Sequence, residues 1–265
     1  MRALSRLCIL ILLTAVGGAT PVRAMSVAPG SETLFTQIER ADTVVLARLR
    51  AAEPGALIFS GEQVLRGGTG AELRVVLPDG QAMGGLTPRS RYLLMLNRVA
   101  DGSFTLPLEG LSILRVADAD LPETLDAVRA WVRDREDPVS ARATLVTFAS
   151  ARSAFIQRSA IMGLTHLQLM DRPALQLLVN QLAAGRVVEP EARQMIVRFV
   201  GVMGATEHQG FLVARIRDTA ETSELREAAL FALDFMDPGA ARALAPDIER
   251  TGTPALRALM RSLLP

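Results

Sequence analysis

Along residues 43–116 the apolar positions come in short runs, and beyond Pro122 they recur at helical spacing. Residues 43–49 are rich in β-branched side chains and too short for a helix, which predicts a largely buried strand. Residues 57–65 predict a second strand, ended by Gly67 and Gly68. A third, over 72–77, stops at Pro78-Asp79-Gly80, where proline fixes one φ and glycine permits a positive one. Residues 92–99 are the fourth; Asp101-Gly102 then turns the chain into 103–106, and 112–116 completes the set. Ahead of them, 33–39 predicts one or two helical turns. Five or six short strands with glycine-rich turns suggest a small closed or partly closed barrel.

After Asp118-Ala119-Asp120 the strand signals stop. Residues 122–135 predict a helix with proline in its first turn and Leu125, Val128 and Val132 on one side, broken by Asp137-Pro138. Four helix pairs are then expected, at 139–149 with 153–167, 173–184 with 189–202, 207–217 with 223–235, and 239–249 with 254–263. The stretch from Leu225 to Pro238 is the pattern that the others repeat loosely. As a helix it aligns Leu225, Ala228, Ala229, Ala232, Phe235 and Met236 on one side, and Leu230, Phe231 and Leu233 widen the apolar surface. Such a helix needs neighbours on two sides, which an array of stacked pairs supplies. The second helix of each pair opens with an arginine in the same place: Arg158, Arg193, Arg226 and Arg257, separated by 35, 33 and 31 residues.

Two stretches carry resemblances to known families. Ala41-Asp42-Thr43-Val44-Val45, the run from Phe59 to Gly67 and the run from Arg89 to Leu96 together resemble the OB-like barrel of netrin-type modules and tissue inhibitors of metalloproteinases, over residues 41–116. The resemblance implies the barrel and not the activity. Those inhibitors insert an N-terminal cysteine into a protease site and are laced with disulfides, and here no cysteine is placed for either purpose. Behind Arg226, the spacing Arg-x-Ala-Ala-x-x-Ala-Leu followed by Asp237-Pro238 resembles the second helix and inter-repeat turn of short HEAT-like repeats, which implies a helical solenoid over residues 122–265. The periods lie near the roughly 34 residues of tetratricopeptide units, but the aromatic packing positions of those units are missing.

The first residues change the compartment. Arg2 and Arg6 precede an apolar run at 7–16, and Val22-Arg23-Ala24 ends in small-residue cleavage chemistry, so residues 1–24 are expected to be a secretory signal. The run is shorter than the ~20 residues that span a bilayer, and no later stretch suggests an integral span. Periplasmic or secreted localisation follows. Three arginines and no acid leave with the signal, so 29 basic residues become 26 against 28 acidic ones, a net −2. Nucleic-acid binding is disfavoured, since phosphate contacts need a basic footprint. Cys8, the single cysteine, lies inside the signal, so the mature chain has no disulfide or thiolate ligand and must be held by core burial. Apart from two histidines every basic residue is arginine, a planar bidentate donor.

No catalytic constellation outranks its structural explanation. His166 and His208 have no second histidine at ligand spacing, and helix-end placement accounts for His166. There is neither a Gly-x-Ser-x-Gly elbow nor a His-Glu-x-x-His motif, and Gly67-Gly68-Thr69-Gly70 leads into a strand, not the helix that a phosphate cradle requires. Asp118, Asp120 and Glu123 are the densest acidic group, read as a solvated junction with helix-start acids. The arginine column has two readings: a face that grips carboxylates of a partner, or clamps onto acceptors of its own or neighbouring repeats.

These readings combine into an α+β chain with a signal at 1–24, a β-barrel domain at 25–118 and a HEAT-like repeat domain at 119–265. The function expected is that of an exported, non-enzymatic interaction protein, with a protein partner and no cofactor, metal or catalytic residue. The rivals are an enzyme accessory, because some short HEAT-like repeats belong to a family that attaches chromophores to proteins, and a protease inhibitor acting through the barrel.

Overall fold

The computed structural model describes residues 33–78, 85–108 and 112–264. The expected signal at 1–24, the linker that follows it and the Asp79-Gly80 part of one turn lie outside them. The fold is mixed α+β, a six-stranded sheet followed by ten helices among the described residues. Helix α1 (Leu34–Arg40) precedes strands β1 (Thr43–Glu53), β2 (Ala56–Arg66), β3 (Glu72–Val76), β4 (Arg91–Arg98), β5 (Phe104–Thr105) and β6 (Ile113–Arg115). Then come α2 (Leu121–Asp134), α3 (Pro138–Phe148), α4 (Ala154–His166), α5 (Arg172–Ala183) and α6 (Pro190–Val202). A 3₁₀ turn at Thr206–His208 leads to α7 (Gln209–Arg217), α8 (Ser223–Met236), α9 (Pro238–Ala243), α10 (Ala245–Thr251) and α11 (Pro254–Leu263). The chain forms two compact units, Glu32–Val197 and Arg198–Pro265.

In the first unit the strands run in the order β1-β2-β3-β5-β4-β6, and β1 also pairs with β4. The path β1-β2-β3-β5-β4 therefore returns to its start. Antiparallel pairs make most of it, with β3 and β5 joined in parallel at Val75 and Phe104. Strand β1 serves two partners: Thr43–Arg48 faces β4 in unbroken register, while three irregularities interrupt its pairing with β2. Bulges of this kind increase local twist and bend a strand. Alternate residues of β1 to β4, including Val45, Leu49, Leu57, Phe59, Leu73, Val75, Tyr92 and Leu94, form one buried cluster. The opposite positions Val44, Leu46, Leu93 and Met95 are buried as well. Both faces of β1 and β4 are therefore covered, and helix α1 packs against β4, α2 and α4.

Why α1 forms is local chemistry. Thr33 and Thr36 make a reciprocal capping box, and Leu34, Phe35 and Ile38 bury the inner side. Phe35 meets the Trp131 ring edge-on at 5.5 Å, and the indole nitrogen donates to Glu39 at 2.8 Å. The other Glu39 oxygen accepts from Arg135 at 3.2 Å. The expected helical turns before the first strand are thus a wedge on which α2 and α4 rest.

The later helices begin where capping residues and prolines direct. Asp137, Asp171, Thr222, Asp237 and Thr253 each accept the backbone N–H three residues on, and prolines follow Asp137, Asp237 and Thr253 directly. The helix expected over 239–249 is instead two, α9 and α10, meeting at Leu244. Pro246 explains the break, since it has no N–H to continue the helix from α9. In the second unit α8 packs against α7, α9 and α11. It buries Leu225, Arg226, Ala228, Ala229, Leu230, Ala232 and Leu233. Its apolar surface is narrower than the sequence suggests, because Phe231 and Phe235 are 44% and 39% exposed. Gly201 allows α6 to approach α8 closely, since a Cβ there would lie 2.7 Å from the Ala232 Cα.

Candidate functional site

The four arginines of the column sit in comparable helix positions and meet different surroundings. Arg158 on α4 donates to Glu191 at 3.3 Å, with both side chains about half exposed. Arg193 is half-buried on α6. Arg226 is 3% exposed and donates from Nε to the Ile216 carbonyl at 2.8 Å, near the end of α7, while its Nη2 is buried without a hydrogen-bond partner. Arg257 reaches the Glu249 carbonyl at 3.4 Å from an exposed position. The sequence period is real in the helix register, and the acceptors differ from site to site.

A neighbour of the column does more to join consecutive helix pairs. Gln157 is 1% exposed and uses all four hydrogen-bonding positions of its amide. Its nitrogen donates to the Ala151 and Arg186 carbonyls at 2.6 and 3.1 Å, and its oxygen accepts from the Val188 and Glu189 amides at 3.0 and 2.9 Å. The loop between α5 and α6 is thereby held to α4. Glu123, one of the three junction acids, accepts from the Arg152 and Ser153 amides at 2.9 and 2.8 Å and so holds the entry to α4, whose N-cap Ser153 makes no side-chain cap bond. Asp118 is 90% exposed and 3.8 Å from Arg91, and Asp120 precedes α2 without a side-chain cap. His166 lies exposed in the last turn of α4, and His208 is buried at the start of α7.

The position with the strongest shift of an acid is Asp134. Hydrogen bonds from Arg133 and then from Thr144, whose hydroxyl lies 2.5 Å away, hold its pKa down at about 2. The carboxylate ties α2 to α3 and borders a shallow cleft with Ser140 and Thr147.

A second cleft, on the sheet, was not foreseen from the sequence. It has a volume of about 350 Å³ and is lined by Arg48, Arg89, Arg91, Arg115 and Asp118. Arg48 and Arg91 are cross-strand neighbours, and like charges placed opposite one another repel. Glu62 offsets that repulsion by accepting from both Nε atoms at 2.9 Å. Arg115 enters through β6, whose pairing sets it beside Tyr92. Arg89 has φ of +66°, a left-handed conformation uncommon for a residue with a side chain. The backbone holds it there: Arg89 N donates to the Leu49 carbonyl and Leu49 N to the Ser90 carbonyl, while Thr87 N donates to the Tyr92 hydroxyl at 2.7 Å. What brings these residues together is strand register, across 43 residues from Arg48 to Arg91 and 24 from Arg91 to Arg115, which no local motif reports.

Among the exposed large apolar residues, Phe231 and Phe235 lie one turn apart on α8. None of the described helices is long and apolar enough to cross a membrane. Comparison of the chain with protein-family models, with characterised proteins and with solved structures yields no match.

Proposed function

We propose that the chain is an exported, non-enzymatic interaction protein, in which a small OB-like barrel precedes a short HEAT-like array and the helical part offers the docking surface for a protein partner. The return of the strand path to β1 supports the barrel, and the Gln157 link between successive helix pairs supports the array. The observation that carries the interaction reading is the exposure of Phe231 and Phe235 on a helix whose remaining apolar side chains are largely buried. Two aromatic rings one helical turn apart are the kind of anchor that fills a partner's pocket, and large aromatics concentrate binding energy at interfaces.

Export follows from the charged and apolar opening of the sequence, with cleavage after Ala24. N-terminal sequencing of the exported form tests it; a full-length cytoplasmic protein would remove the compartment assignment. The interaction is tested by a photo-crosslinker at position 231, with one at the exposed Leu177 as control. A single stoichiometric protein adduct specific to position 231, lost in Phe235→Ser, is the expected result. Equal labelling from both positions would overturn the assignment of the surface.

A further inference from the structure

The arginine cleft on the sheet has a charge and a size that suit a ligand of its own. The geometry points to a binding site for a compact, multiply charged oxyanion, a small molecule bearing phosphate or carboxylate groups, held by Arg89, Arg91 and Arg115.

Four guanidinium groups surround the cleft against two carboxylates, Glu62 and Asp118, on a chain whose mature sequence is net acidic. Glu62 is spent on fixing Arg48 and Arg91, and Arg48 Nη1 turns inward to the Arg89 carbonyl at 3.3 Å. Arg48 is thus a positioning residue. Arg91 keeps only a loose 3.8 Å approach to Asp118, whose side chain is 90% exposed and free to swing away when a stronger acceptor arrives. Among the described residues the Arg89 and Arg115 guanidinium groups have no ion-pair partner. Their forks match carboxylate and phosphate oxygens two at a time.

The cleft's volume lies at the lower end of what small-molecule sites hold, roughly 300–1,000 Å³. Its charged lining selects a polar ligand and not an apolar one. The loop from Thr87 to Arg91 is pinned to β1 and to Tyr92, so its backbone needs little ordering on binding. The four arginines line a single cleft of about 350 Å³, a footprint that suits a compact anion.

Calorimetric titration of the full chain with citrate and with pyrophosphate, at low ionic strength, tests the site. Saturable binding to either probe is expected, weakened about tenfold for each guanidinium removed in Arg89→Asn and Arg115→Gln. Asparagine is chosen at 89 because it tolerates a positive φ. Arg129→Gln, away from the cleft, should bind as the parent does. Citrate binding without pyrophosphate binding assigns a carboxylate ligand, the reverse assigns a phosphate ligand, and both together leave the shared oxyanion chemistry in place. If Arg89→Asn does not fold, Arg115→Gln on the exposed β6 position carries the same comparison. Absence of saturable binding to both probes overturns the proposal, as does undiminished binding in a folded Arg115→Gln protein. Binding of polyglutamate with neither small anion also overturns it, in favour of an acidic macromolecule.

Discussion

Single polar residues buried between helices make statements that melts can check. Replacing Gln157 by Leu leaves the Val188 and Glu189 amides and two carbonyls without their partner, and is expected to cost at least ~2 kcal/mol. A thermal melt that matches the parent would mean water takes over those bonds. Arg226 separates the two readings of the column. As an internal clamp, its change to Ala strands the Ile216 carbonyl and opens a void, at ~1–3 kcal/mol, while Arg226→Met fills the space and costs less. If Arg226→Ala melts with the parent, the clamp reading fails there. Arg158→Ala should change stability by no more than ~1 kcal/mol, because its pair with Glu191 is half exposed. Asp134 carries the pH prediction. Its folded pKa of about 2 lies below the ordinary carboxylate value, so its contribution is present in full above about pH 4 and is lost as pH falls through 2. Thr144→Val removes one of the two bonds that lower it and should raise the Asp134 pKa, read by carboxyl carbon NMR.

Elements were legible where they announce themselves in consecutive residues. The short apolar, β-branched runs of β1 to β4 and the Asp-Pro and Thr-Pro pairs before α3, α9 and α11 are local signals, and these elements start within a few residues of their expected places. The exception at Leu244 comes from weighing helical periodicity over Pro246. The orientation of α8 was only half legible, since periodicity names the apolar residues but not which of them a neighbour covers. The sheet cleft was illegible because its arginines are joined by register, and Gln157 because a lone glutamine beside an arginine looks like any surface residue. Between elements, Gly201→Ala in α6 is expected to destabilise the helix contact with α8 by ~1–3 kcal/mol, since the Ala232 backbone stands where the methyl would go. Unchanged denaturant midpoints would show that the two helices can slide apart without loss.

At the scale of the molecule, the expectation that residues 25–118 and 119–265 are separate folding bodies meets a contact that crosses the division. Helix α1 belongs in sequence to the first and packs on α2 and α4. Cleavage at Asp118 or Asp120 by an aspartate-specific protease should therefore yield two fragments that co-elute on gel filtration, held by Leu34, Phe35 and Ile38. Fragments that part and keep their circular dichroism would establish the division at 118. The same contact also equips the chain with its own optical reporter. Trp131 is the one tryptophan in the sequence, and its ring sits between Phe35 and Glu39 of α1. Tryptophan emission accordingly reads the docking of that helix and little else. A red shift that precedes the loss of far-ultraviolet ellipticity would time the departure of α1 against the melting of the helices beneath it, with no label added.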